Sequence, residues 1–448
     1  MYNHLDTDTT IVAPATAAGG AVMVVRISGP HAIDIADAIF RGHTALCDAE
    51  GYTLHYGRIV DDNNRVIDDV VVALFRAPHS YTGDDTVEIT LHGSEYITSE
   101  VLRLAINHGA TMAMPGEFTR RAFLAGKMDL SRAEAVADII ASDSKWSHTV
   151  ASTQMRGGYS ERLATLHNEL LRLCSLLELE LDFSEEDVEF ADRTALRITL
   201  DNIASQIETL TSSFALGNAL KHGVNVTIIG KPNVGKSTLL NALVEEDRAM
   251  VSEIAGTTRD TIEATTTIDG VRYRFVDTAG IHATDDRLEQ MGIDRAHRAI
   301  ANAAVILHLT TADCPAFEPV DYTAEQHYIR VVNKIDTATI ACNDPDVVYI
   351  SAKSGTGVDK LRQRLSATID TSSLGTGSVV VSNMRHYAAL REAYNALISA
   401  RTAMDMGLPS DLLSEDIRQV LTHLGEITGE ITSDDILHSI FSKFCIGK

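Results

Sequence analysis

The sequence contains no long apolar run. None of its segments approaches the roughly 18 consecutive apolar residues that a membrane-spanning helix requires. The first residues also lack the cationic region of a secretory signal, because Asp6 and Asp8 stand there instead. These absences predict a cytoplasmic protein that makes no contact with a membrane.

Cysteine is scarce and scattered. The chain has five cysteines, an odd number, and neither a C-x-x-C pair nor an H-E-x-x-H motif occurs. Both absences favour reduced thiols over a disulfide framework or a zinc site. The cysteines are Cys47, Cys174, Cys314, Cys342 and Cys445.

Positive charge is in short supply. The 448 residues include 38 Lys and Arg against 62 Asp and Glu, which gives a formal net charge of −24. A molecule with this charge repels nucleic acid as a whole, so any contact with RNA requires a local basic face or a basic partner. The length favours about three domains.

The strongest motif is the segment GKPNVGKS at residues 230–237, which fits the phosphate-binding pattern G-x-x-x-x-G-K-[ST]. An apolar, β-branched run at residues 224–229 predicts a buried strand before it, and a leucine-rich helix follows. The backbone N–H groups of such a loop surround phosphate oxygens, Lys236 reaches the terminal phosphates, and Ser237 offers its hydroxyl to Mg²⁺. The predicted nucleotide contacts here are Asn233, Gly235, Lys236, Ser237 and Thr238.

A second motif downstream selects the base. Asn333, Lys334 and Asp336 form N-K-x-D after an apolar strand, and the Asp336 carboxylate can accept hydrogen bonds from the ring N–H and the amino group of guanine. Adenine lacks this pair of donors, and such a site rejects an analogue without them by roughly 10⁴ or more. The pattern therefore favours GTP over ATP. The loop behind the base is predicted at Ser351, Ala352 and Lys353.

Two further segments have the order of GTPase switches. Asp277 and Gly280 fit D-x-x-G, so Asp277 would hold Mg²⁺ through water and the Gly280 N–H would meet the γ-phosphate. Thr258, within the sequence GTTRD, is the predicted second Mg²⁺ ligand. Ile281 follows Gly280 and cannot orient the attacking water as Gln does in many GTPases. The nearby residues able to do so are Asp285, Asp286, Glu289 and Gln290.

Short β-branched runs before residue 122 predict a mixed α/β domain. They lie at residues 21–27, 70–75 and 86–91 and alternate with turn residues. A group of cations follows, and two interpretations of it are open: solvated helix faces, or contacts to an anionic ligand. The group comprises Arg120, Arg121, Lys127 and Arg132.

Helical periodicity begins at Ser131, which with Glu134 forms a capping box. Apolar stripes follow at residues 163–177 and 196–214, and matching stripes appear only at 387–397 and 417–424. The economical architecture is one helical bundle interrupted by a GTPase domain, because separate helical appendages would expose each stripe. Gly and Ser predict the linkers at residues 217–223 and 371–378.

The order of these parts resembles the tRNA modification GTPase family MnmE, also called TrmE. The resemblance covers essentially the whole chain and rests on GTTRD, on short N-terminal motifs and on the C-terminal F-C-I-G-K at residues 444–448. The N-terminal motifs are R-I-S-G at 26–29, P-G-E-F at 115–118, R-A-F-L at 121–124 and K-M-D-L at 127–130.

The predicted fold is therefore multidomain, with an N-terminal α/β domain that is folate-binding-like and dimerises, an α-helical bundle, and an inserted P-loop α/β GTPase domain of the Ras type. The N-terminal domain is predicted at residues 1–122. The helical domain takes residues 123–217 and 376–448, and the GTPase domain takes residues 218–375.

The resemblance implies GTP hydrolysis that uses K⁺, bound when GTPase domains dimerise, in place of an arginine finger. Such a finger contributes roughly 10³ to 10⁵ in rate, so the cation has a large task. Glu289 matches the family's catalytic Glu, which orients the attacking water, although a surface carboxylate on a switch helix is the alternative. The implied K⁺ ligands are Asn233, Ser252, Ile254 and Thr257, and Thr257 also contacts GTP.

The resemblance also implies a 5-formyl- or methylene-tetrahydrofolate bound to the N-terminal domain. A pterin ring suits a carboxylate and a glutamyl tail suits cations, but structural ion pairs would use the same residue types. The matching positions are Arg26, Glu88, Lys127 and Lys448.

Cys445 has three interpretations. A C-a-a-X prenylation box is disfavoured, because Gly447 is not aliphatic and no polybasic run precedes it. A buried apolar cysteine is the second. The third, which the resemblance favours, is a catalytic residue required for the modification reaction.

The implied function is a GTPase that modifies tRNA with a FAD-dependent partner of the MnmG (GidA) family. Together they would add an aminomethyl-type group, carboxymethylaminomethyl, to carbon 5 of a wobble uridine, with the one-carbon unit from folate and the nitrogen from ammonium or glycine. The chain would form a homodimer, and with the partner a heterotetramer or larger. The rival hypothesis is a regulatory RNA-binding GTPase of the Era or Der type, but the folate-matched residues and Cys445 favour the enzyme.

Overall fold

The computed structural model describes residues 8–182, 193–244, 263–277, 298–313, 315–337, 344–372, 374 and 378–448. The chain divides into two compact units. Unit 1 is the part up to Ala137 together with Thr422–Lys448, and unit 2 is Asp138–Leu421. Residues 422–448 therefore complete a unit built mainly from residues before 138. The domain boundaries given above stay a prediction.

Strands and helices are numbered along the described chain. The strands are β1 (Ile11–Pro14), β2 (Val22–Ser28), β3 (Phe40–Gly42), β4 (Thr53–Val60), β5 (Val66–Phe75), β6 (Thr86–His92), β7 (Thr111–Met112), β8 (Val224–Ile229), β9 (Glu263–Ile268), β10 (Val271–Asp277), β11 (Val305–Thr311), β12 (His327–Asn333) and β13 (Val347–Tyr349). The helices are α1 (Ala32–Ile39), α2 (Glu95–Asn107), α3 (Glu117–Leu124), α4 (Leu130–Ala141), α5 (Lys145–Met155), α6 (Gly158–Asp182), α7 (Arg193–Ser212), α8 (Phe214–His222), α9 (Lys236–Val244), α10 (Val358–Ser366), α11 (Met384–Asp405), α12 (Ser410–Thr428) and α13 (Asp434–Phe441).

Unit 1 is built on a sheet with the strand order β3-β4-β5-β6-β2-β1-β7. Its neighbours are antiparallel except β1 and β7, which are parallel. Helices α1 and α2 cover one face, against which alternate strand residues such as Val25, Val72 and Ile89 are completely buried. The runs predicted at residues 21–27, 70–75 and 86–91 lie in β2, β5 and β6, so the mixed α/β prediction is confirmed.

The other face of this sheet is partly open. Directly paired residues of neighbouring strands point to the same side. Leu54, Ala73, Glu88 and Arg26 therefore form one row across β4, β5, β6 and β2. Tyr56 belongs to the next row on the same face. The side chains of Leu54 and Tyr56 are 73% and 71% exposed. Large apolar side chains and an Arg–Glu pair thus share this open face.

The first residue of α4 is Leu130, and the cap of this helix differs from the prediction. The Asp129 carboxylate accepts hydrogen bonds from the Arg132 N–H at 3.0 Å and from the Ser131 hydroxyl at 2.7 Å. The prediction that Ser131 opens the helix as part of a capping box is therefore wrong, because Asp129 occupies the capping position.

Unit 2 contains a second sheet, with the strand order β13-β12-β11-β8-β10-β9. Its strands are parallel apart from the β9–β10 hairpin. The run predicted at residues 224–229 is β8, and α9 follows the phosphate-binding loop as expected. Parallel strands end at the same edge of a sheet, so the C-terminal ends of β8, β10 and β12 lie at one edge. This arrangement confirms the P-loop α/β fold.

The apolar stripes of the helices are buried, as predicted. Leu166, Leu170 and Leu177 of α6 are fully buried, and so are Leu200 and Ile203 of α7. Helix α7 packs against α11, which lies beyond the GTPase sheet in sequence. The helical bundle interrupted by a nucleotide-binding fold is therefore confirmed. Within the described residues, no helix combines the length and apolarity needed to cross a membrane.

The first predicted linker is wrong. Residues 217–222 belong to α8, which ends at His222 directly before β8. A Cβ at Gly217 would overlap the carbonyl oxygen of Val381, so this glycine permits close packing rather than flexibility. The second predicted linker, 371–378, lies partly outside the described residues.

Candidate nucleotide site and N-terminal ligand site

The phosphate-binding loop follows β8 and contains two glycines that no other residue can replace without strain. Gly230 and Gly235 have φ values of 141° and 98°, in the region that disfavours side chains. A Cβ at Gly230 would overlap the Leu309 carbonyl oxygen, and one at Gly235 would overlap the Asn333 side chain. The backbone can therefore come close to its neighbours and present N–H groups to an anion.

Two lysines hold the rim of this loop. Lys236 Nζ donates to the carbonyl oxygens of Gly230 at 2.7 Å and Lys231 at 3.0 Å. Lys334 Nζ donates to the carbonyl oxygen of Asn233 at 2.7 Å. Both ammonium groups thus lie at the loop where a polyphosphate would need counter-charge. The side chains of Ser237 and Thr238, in the first turn of α9, are exposed.

Asn333 joins the phosphate loop to the base loop. Its side chain is buried, with Nδ2 donating to the Val234 carbonyl at 2.8 Å and Oδ1 accepting from the Ala352 N–H at 2.9 Å. Because both partners are backbone groups of buried residues, neither can be satisfied by water. The three predicted segments are therefore brought together by one side chain.

Asp336 is prepared to accept hydrogen bonds. A hydrogen bond from the Ser351 hydroxyl lowers the pKa of the Asp336 carboxyl, and a backbone N–H and the charges of Lys353 and Lys334 act in the same direction. The side chain is exposed, and its carboxylate stays ionised at neutral pH. These features suit the predicted contact with two donors of guanine.

Several predicted residues lie outside the described residues. They are Ser252, Ile254, Thr257, Thr258, Gly280 and Glu289. The backbone of Asp277 ends β10, but its side chain is not described. All four K⁺ ligands, Asn233 included, and the catalytic role of Glu289 therefore stay predictions.

In unit 1, Arg26 and Glu88 form an ion pair on facing strands. Arg26 Nε and Nη2 lie 2.8 and 2.7 Å from Glu88 Oε1. Glu88 Oε2 makes no hydrogen bond to any residue that the structure describes. The Arg26 guanidinium lies 5.4 Å from the ring centroids of both Tyr81 and Phe118. A carboxylate oxygen without such a hydrogen bond can accept from an N–H donor of a ligand.

The residues around Cys445 contact the neighbourhood of Arg26 in unit 1. Arg26 Nη1 donates to the Gly447 carbonyl at 3.4 Å, and the Gly116 N–H donates to the Cys445 carbonyl at 3.4 Å. A Cβ at Gly447 would overlap the Pro14 carbonyl oxygen. The side chain of Cys445 is exposed, so the interpretation as a buried apolar cysteine is wrong. Its catalytic role stays a prediction.

Two other predicted ligand residues make local contacts. Lys127 Nζ donates to the Pro78 carbonyl, and the backbone N–H of Lys448 donates to the Cys445 carbonyl. No ion pair joins either lysine to Glu88 within the described part of the chain. Folate contacts from both side chains therefore stay predictions.

Arg121 does not belong to a solvated helix face. Its side chain is 2% exposed and is bonded to Glu117 Oε1 at 2.9 Å and to the Thr9 carbonyl at 2.7 Å. Arg132 lies 3.3 Å from Asp129, and Arg120 lies 3.7 Å from Asp434. The prediction of a solvated helix face is thus wrong for Arg121. Its charge is matched within unit 1 by a buried structural ion pair.

Sequence reasoning missed Tyr81, Phe118 and Gly447 as neighbours of Arg26. Phe118 and Gly447 belong to the motifs P-G-E-F and F-C-I-G-K, which could have indicated them. Tyr81 has no local signal, and its ring reaches Arg26 only through the fold. Burial raises the pKa of Tyr81, and its hydroxyl bonds to Thr119 Oγ1 at 2.9 Å.

Known proteins resemble this chain over its whole length. A family model described as "MnmE helical domain" matches residues 130–445, and one described as "GTP-binding protein TrmE N-terminus" matches residues 10–127. The tRNA modification GTPase MnmE of Cytophaga hutchinsonii is 47% identical over 100% of this chain and 99% of its own. Proteins of that name from Bacteroides fragilis and Porphyromonas gingivalis are 46% and 47% identical over 98% and 99% of this chain, each over 99% of its own length. The chain therefore belongs to the MnmE family of tRNA modification GTPases.

Proposed function

We propose that this chain binds GTP at the loop after β8 and hydrolyses it. The observation that carries the proposal is the Asn333 bridge, which brings the phosphate loop, the N-K-x-D segment and the base loop together. Mg²⁺ would be held by Ser237 and Thr258, and by Asp277 through water. Glu289 would orient the attacking water, since Ile281 cannot.

The proposed reaction uses K⁺ beside the phosphates. Asn233 supports this, because its side chain is exposed at the phosphate loop with the backbone in the left-handed region, at a φ of 63°. Ser252, Ile254 and Thr257 would complete the ligand set. Hydrolysis rates measured in K⁺ and in Na⁺ at equal ionic strength test the site, and we expect a large decrease in Na⁺. Equal rates would contradict the K⁺ site but not GTP hydrolysis.

The proposed N-terminal ligand is a tetrahydrofolate that carries a one-carbon unit. Glu88 Oε2 would accept from the pterin ring, Tyr81 would pack beside it, and Lys127 and Lys448 would face the glutamyl tail. Titration with 5-formyl-tetrahydrofolate, followed by calorimetry, tests this site. We expect binding in the wild type and loss of binding in Glu88→Gln. Glu100→Gln serves as the matched control, because Glu100 is partly exposed and also pairs with an arginine, Arg103 of α2.

The proposed assembly is a homodimer in which a second copy covers the open face of the unit 1 sheet. Leu54 and Tyr56 expose more than two thirds of their surface there, and neighbouring exposed apolar side chains are typical of a surface that another protein covers. Light scattering should give a dimer mass for the wild type and a monomer mass for Tyr56→Glu. Tyr322→Glu, at another exposed tyrosine, should stay dimeric.

The proposed overall activity is modification of a tRNA wobble uridine with a FAD-dependent MnmG-type partner, in which Cys445 takes part. The net charge of −24 disfavours tRNA binding by this chain alone, which supports a basic partner that provides the main surface for tRNA. The decisive experiment is a nucleoside profile of tRNA from cells with and without the protein. We expect the carboxymethylaminomethyl uridine to disappear. A retained modification together with absent folate binding would instead favour an RNA-binding GTPase switch of the Era or Der type.

A further inference from the structure

Residues 138–150, here called the clamp segment, contact the edge of the GTPase sheet that lies opposite the phosphate loop. The segment comprises the end of α4 and the first half of α5. Strands β8 and β10 are parallel neighbours, paired from Tyr273↔Val224 to Asp277↔Ile228. Their C-terminal ends lead to Gly230 and Asp277, so their N-terminal ends lie together at the far edge, where the clamp segment meets them.

Trp146 fastens the turn before β10. Its backbone N–H donates to the Gly270 carbonyl at 3.3 Å, and its indole Nε1–H donates to the Asp269 carbonyl at 3.1 Å. Asp269 and Gly270 both have positive φ, at 50° and 79°, which is the geometry of a tight two-residue hairpin turn. The indole ring also packs against the hydrophobic core of the GTPase sheet. One residue, through its backbone N–H and its indole, thus contacts both central residues of this turn.

Two ion pairs anchor the same ends of the strands. Arg272, near the start of β10, pairs with Asp143 of the clamp segment. Lys221, in the last turn of α8 and three residues before β8, pairs with Asp138 at 2.7 Å. The strand that leads to the phosphate loop and the strand that ends at Asp277 are therefore both tied to one short segment.

This interface is polar and incompletely filled. A cavity of about 320 Å³ lies between α5, α8 and β10 and is lined by Ser142, Lys221, His222 and Arg274, among others. Polar interfaces between parts of a chain permit relative motion more readily than closely packed apolar ones. A hydrogen-bonded strand, by contrast, is stiff along its axis, so displacement at one end of β10 reaches the other. The contact of the clamp segment can therefore shift, and β10 would transmit that shift to the nucleotide site.

We infer that Trp146 is a positioning residue of the GTPase, which sets the placement of β10 and through it of Asp277. The inference rests on the proposed hydrolysis of GTP at this site. Asp277 is the proposed Mg²⁺ partner, so a change of nucleotide that moves it also changes the contact between Trp146 and the turn. Ordinary packing would need the indole ring but not its N–H group, and here the N–H group is bonded to the turn.

The chain itself provides the probe, because Trp146 is its single tryptophan. The full-length protein is loaded with GDP or with a non-hydrolysable GTP analogue, and the emission spectrum of Trp146 is compared between the two. We expect a shift of the emission maximum between the two states. Identical spectra overturn the inference.

Two variants test the role in catalysis. In Gly270→Ala the new Cβ would lie 3.2 Å from Lys145 Cβ and Trp146 Cδ1, so it pushes the turn away from the clamp segment. Gly407→Ala is the matched control, since Gly407 also has a positive φ, 66°, but no neighbour within 4 Å. We expect kcat to fall about fivefold in Gly270→Ala with unchanged nucleotide affinity, and no change in Gly407→Ala.

Trp146→Phe keeps an aromatic ring but removes the Nε1–H donor together with one ring of the indole. It therefore tests the inference even where Gly270→Ala fails to fold. The expected result is again a decrease in kcat of about fivefold, without a change in KM. A kcat equal to that of the wild type overturns the inference. Failure of a fluorescent GTP analogue to bind the wild type would instead remove the proposed GTPase site, and the two failures are thereby distinguished.

Discussion

Asn333 Oδ1 accepts a hydrogen bond from the Ala352 N–H at 2.9 Å, across a separation of 19 residues, while Nδ2 of the same side chain reaches Val234. We expect Asn333→Ala to lower the free energy of unfolding of unit 2 by about 2 kcal/mol or more, because two buried backbone groups lose their partners. Urea unfolding measures this loss. Asn225→Ala is the control, since the Asn225 side chain makes only a long bond of 3.4 Å at an exposed site. Equal losses in both variants would show that the bridge adds nothing.

Asp336→Asn should change the base preference. An amide in place of the carboxylate cannot accept from both guanine donors, but it can donate to the additional carbonyl of xanthine. We expect weaker binding of GTP and tighter binding of xanthosine triphosphate, measured by competition against a fluorescent nucleotide. Unchanged GTP affinity would remove Asp336 from the base site.

Glu289→Ala should abolish turnover and leave GTP binding intact. The reason is that the proposed role of Glu289 lies in orienting water rather than in holding the nucleotide. Single-turnover hydrolysis and equilibrium binding separate the two effects, and Asp285→Ala serves as a nearby carboxylate control. Hydrolysis at the wild-type rate in Glu289→Ala would assign the water to another residue.

Gly447→Ala should displace residues 442–448 from β1. The new Cβ would overlap the Pro14 carbonyl, and the backbone has a φ of 95°. Hydrogen–deuterium exchange of residues 442–448 should become faster. Gly109→Ala carries a similar φ of 105° with no neighbour within 4 Å, so it should cost only about 1 kcal/mol of backbone strain and leave that exchange unchanged. Slow exchange in both variants would mean that the Pro14 contact does not hold the segment.

Tyr273 should make unit 2 sensitive to alkali. Burial raises the pKa of its hydroxyl to about 12, and the hydroxyl donates to the Leu365 carbonyl at 2.8 Å. The folded state thus retains a proton that the unfolded state releases near pH 10. The stabilisation is complete below pH 10 and is lost as the pH rises towards 12, at about 1.4 kcal/mol for each pH unit.

The measurement compares wild type and Tyr273→Phe in urea at pH 9 and pH 11. The variant lacks this loss, so the stability difference between the two proteins should shrink or reverse at pH 11. Tyr322→Phe, at a tyrosine that is 52% exposed, controls for general effects of alkali. A difference that is the same at both pH values would contradict the prediction.

The nucleotide-binding half of the fold was open to prediction because its signals are local. The apolar run at residues 224–229 lies between Gly223 and Gly230, and β8 has these bounds in the structure. The base loop was equally recognisable, since Asn333 and Ala352 belong to short motifs that keep their order in the chain.

The predictions at Gly217 and Ser131 were wrong, and Tyr81 was missed, because each depends on contacts that the local sequence does not show. Gly217 reads as a linker residue, but it lies in a helix because Val381 packs against it from far along the chain. The pattern at Ser131 and Glu134 predicts a helix cap at Ser131, but the helix already begins at Leu130 and the Asp129 carboxylate accepts from the Arg132 N–H. Tyr81 reaches Arg26 only because strands β2 and β6 lie side by side.

The composition of unit 1 from residues before 138 and residues 422–448 has a consequence for biosynthesis. A ribosome releases the first of these parts long before the second, and unit 2 emerges between them. Domains fold as units during translation, in order from the N-terminus. Unit 1 must therefore wait, with the contact sites for Phe441 and Gly447 uncovered, until the last segment is made. A nascent chain of this protein should therefore engage chaperones through the uncovered surface of unit 1.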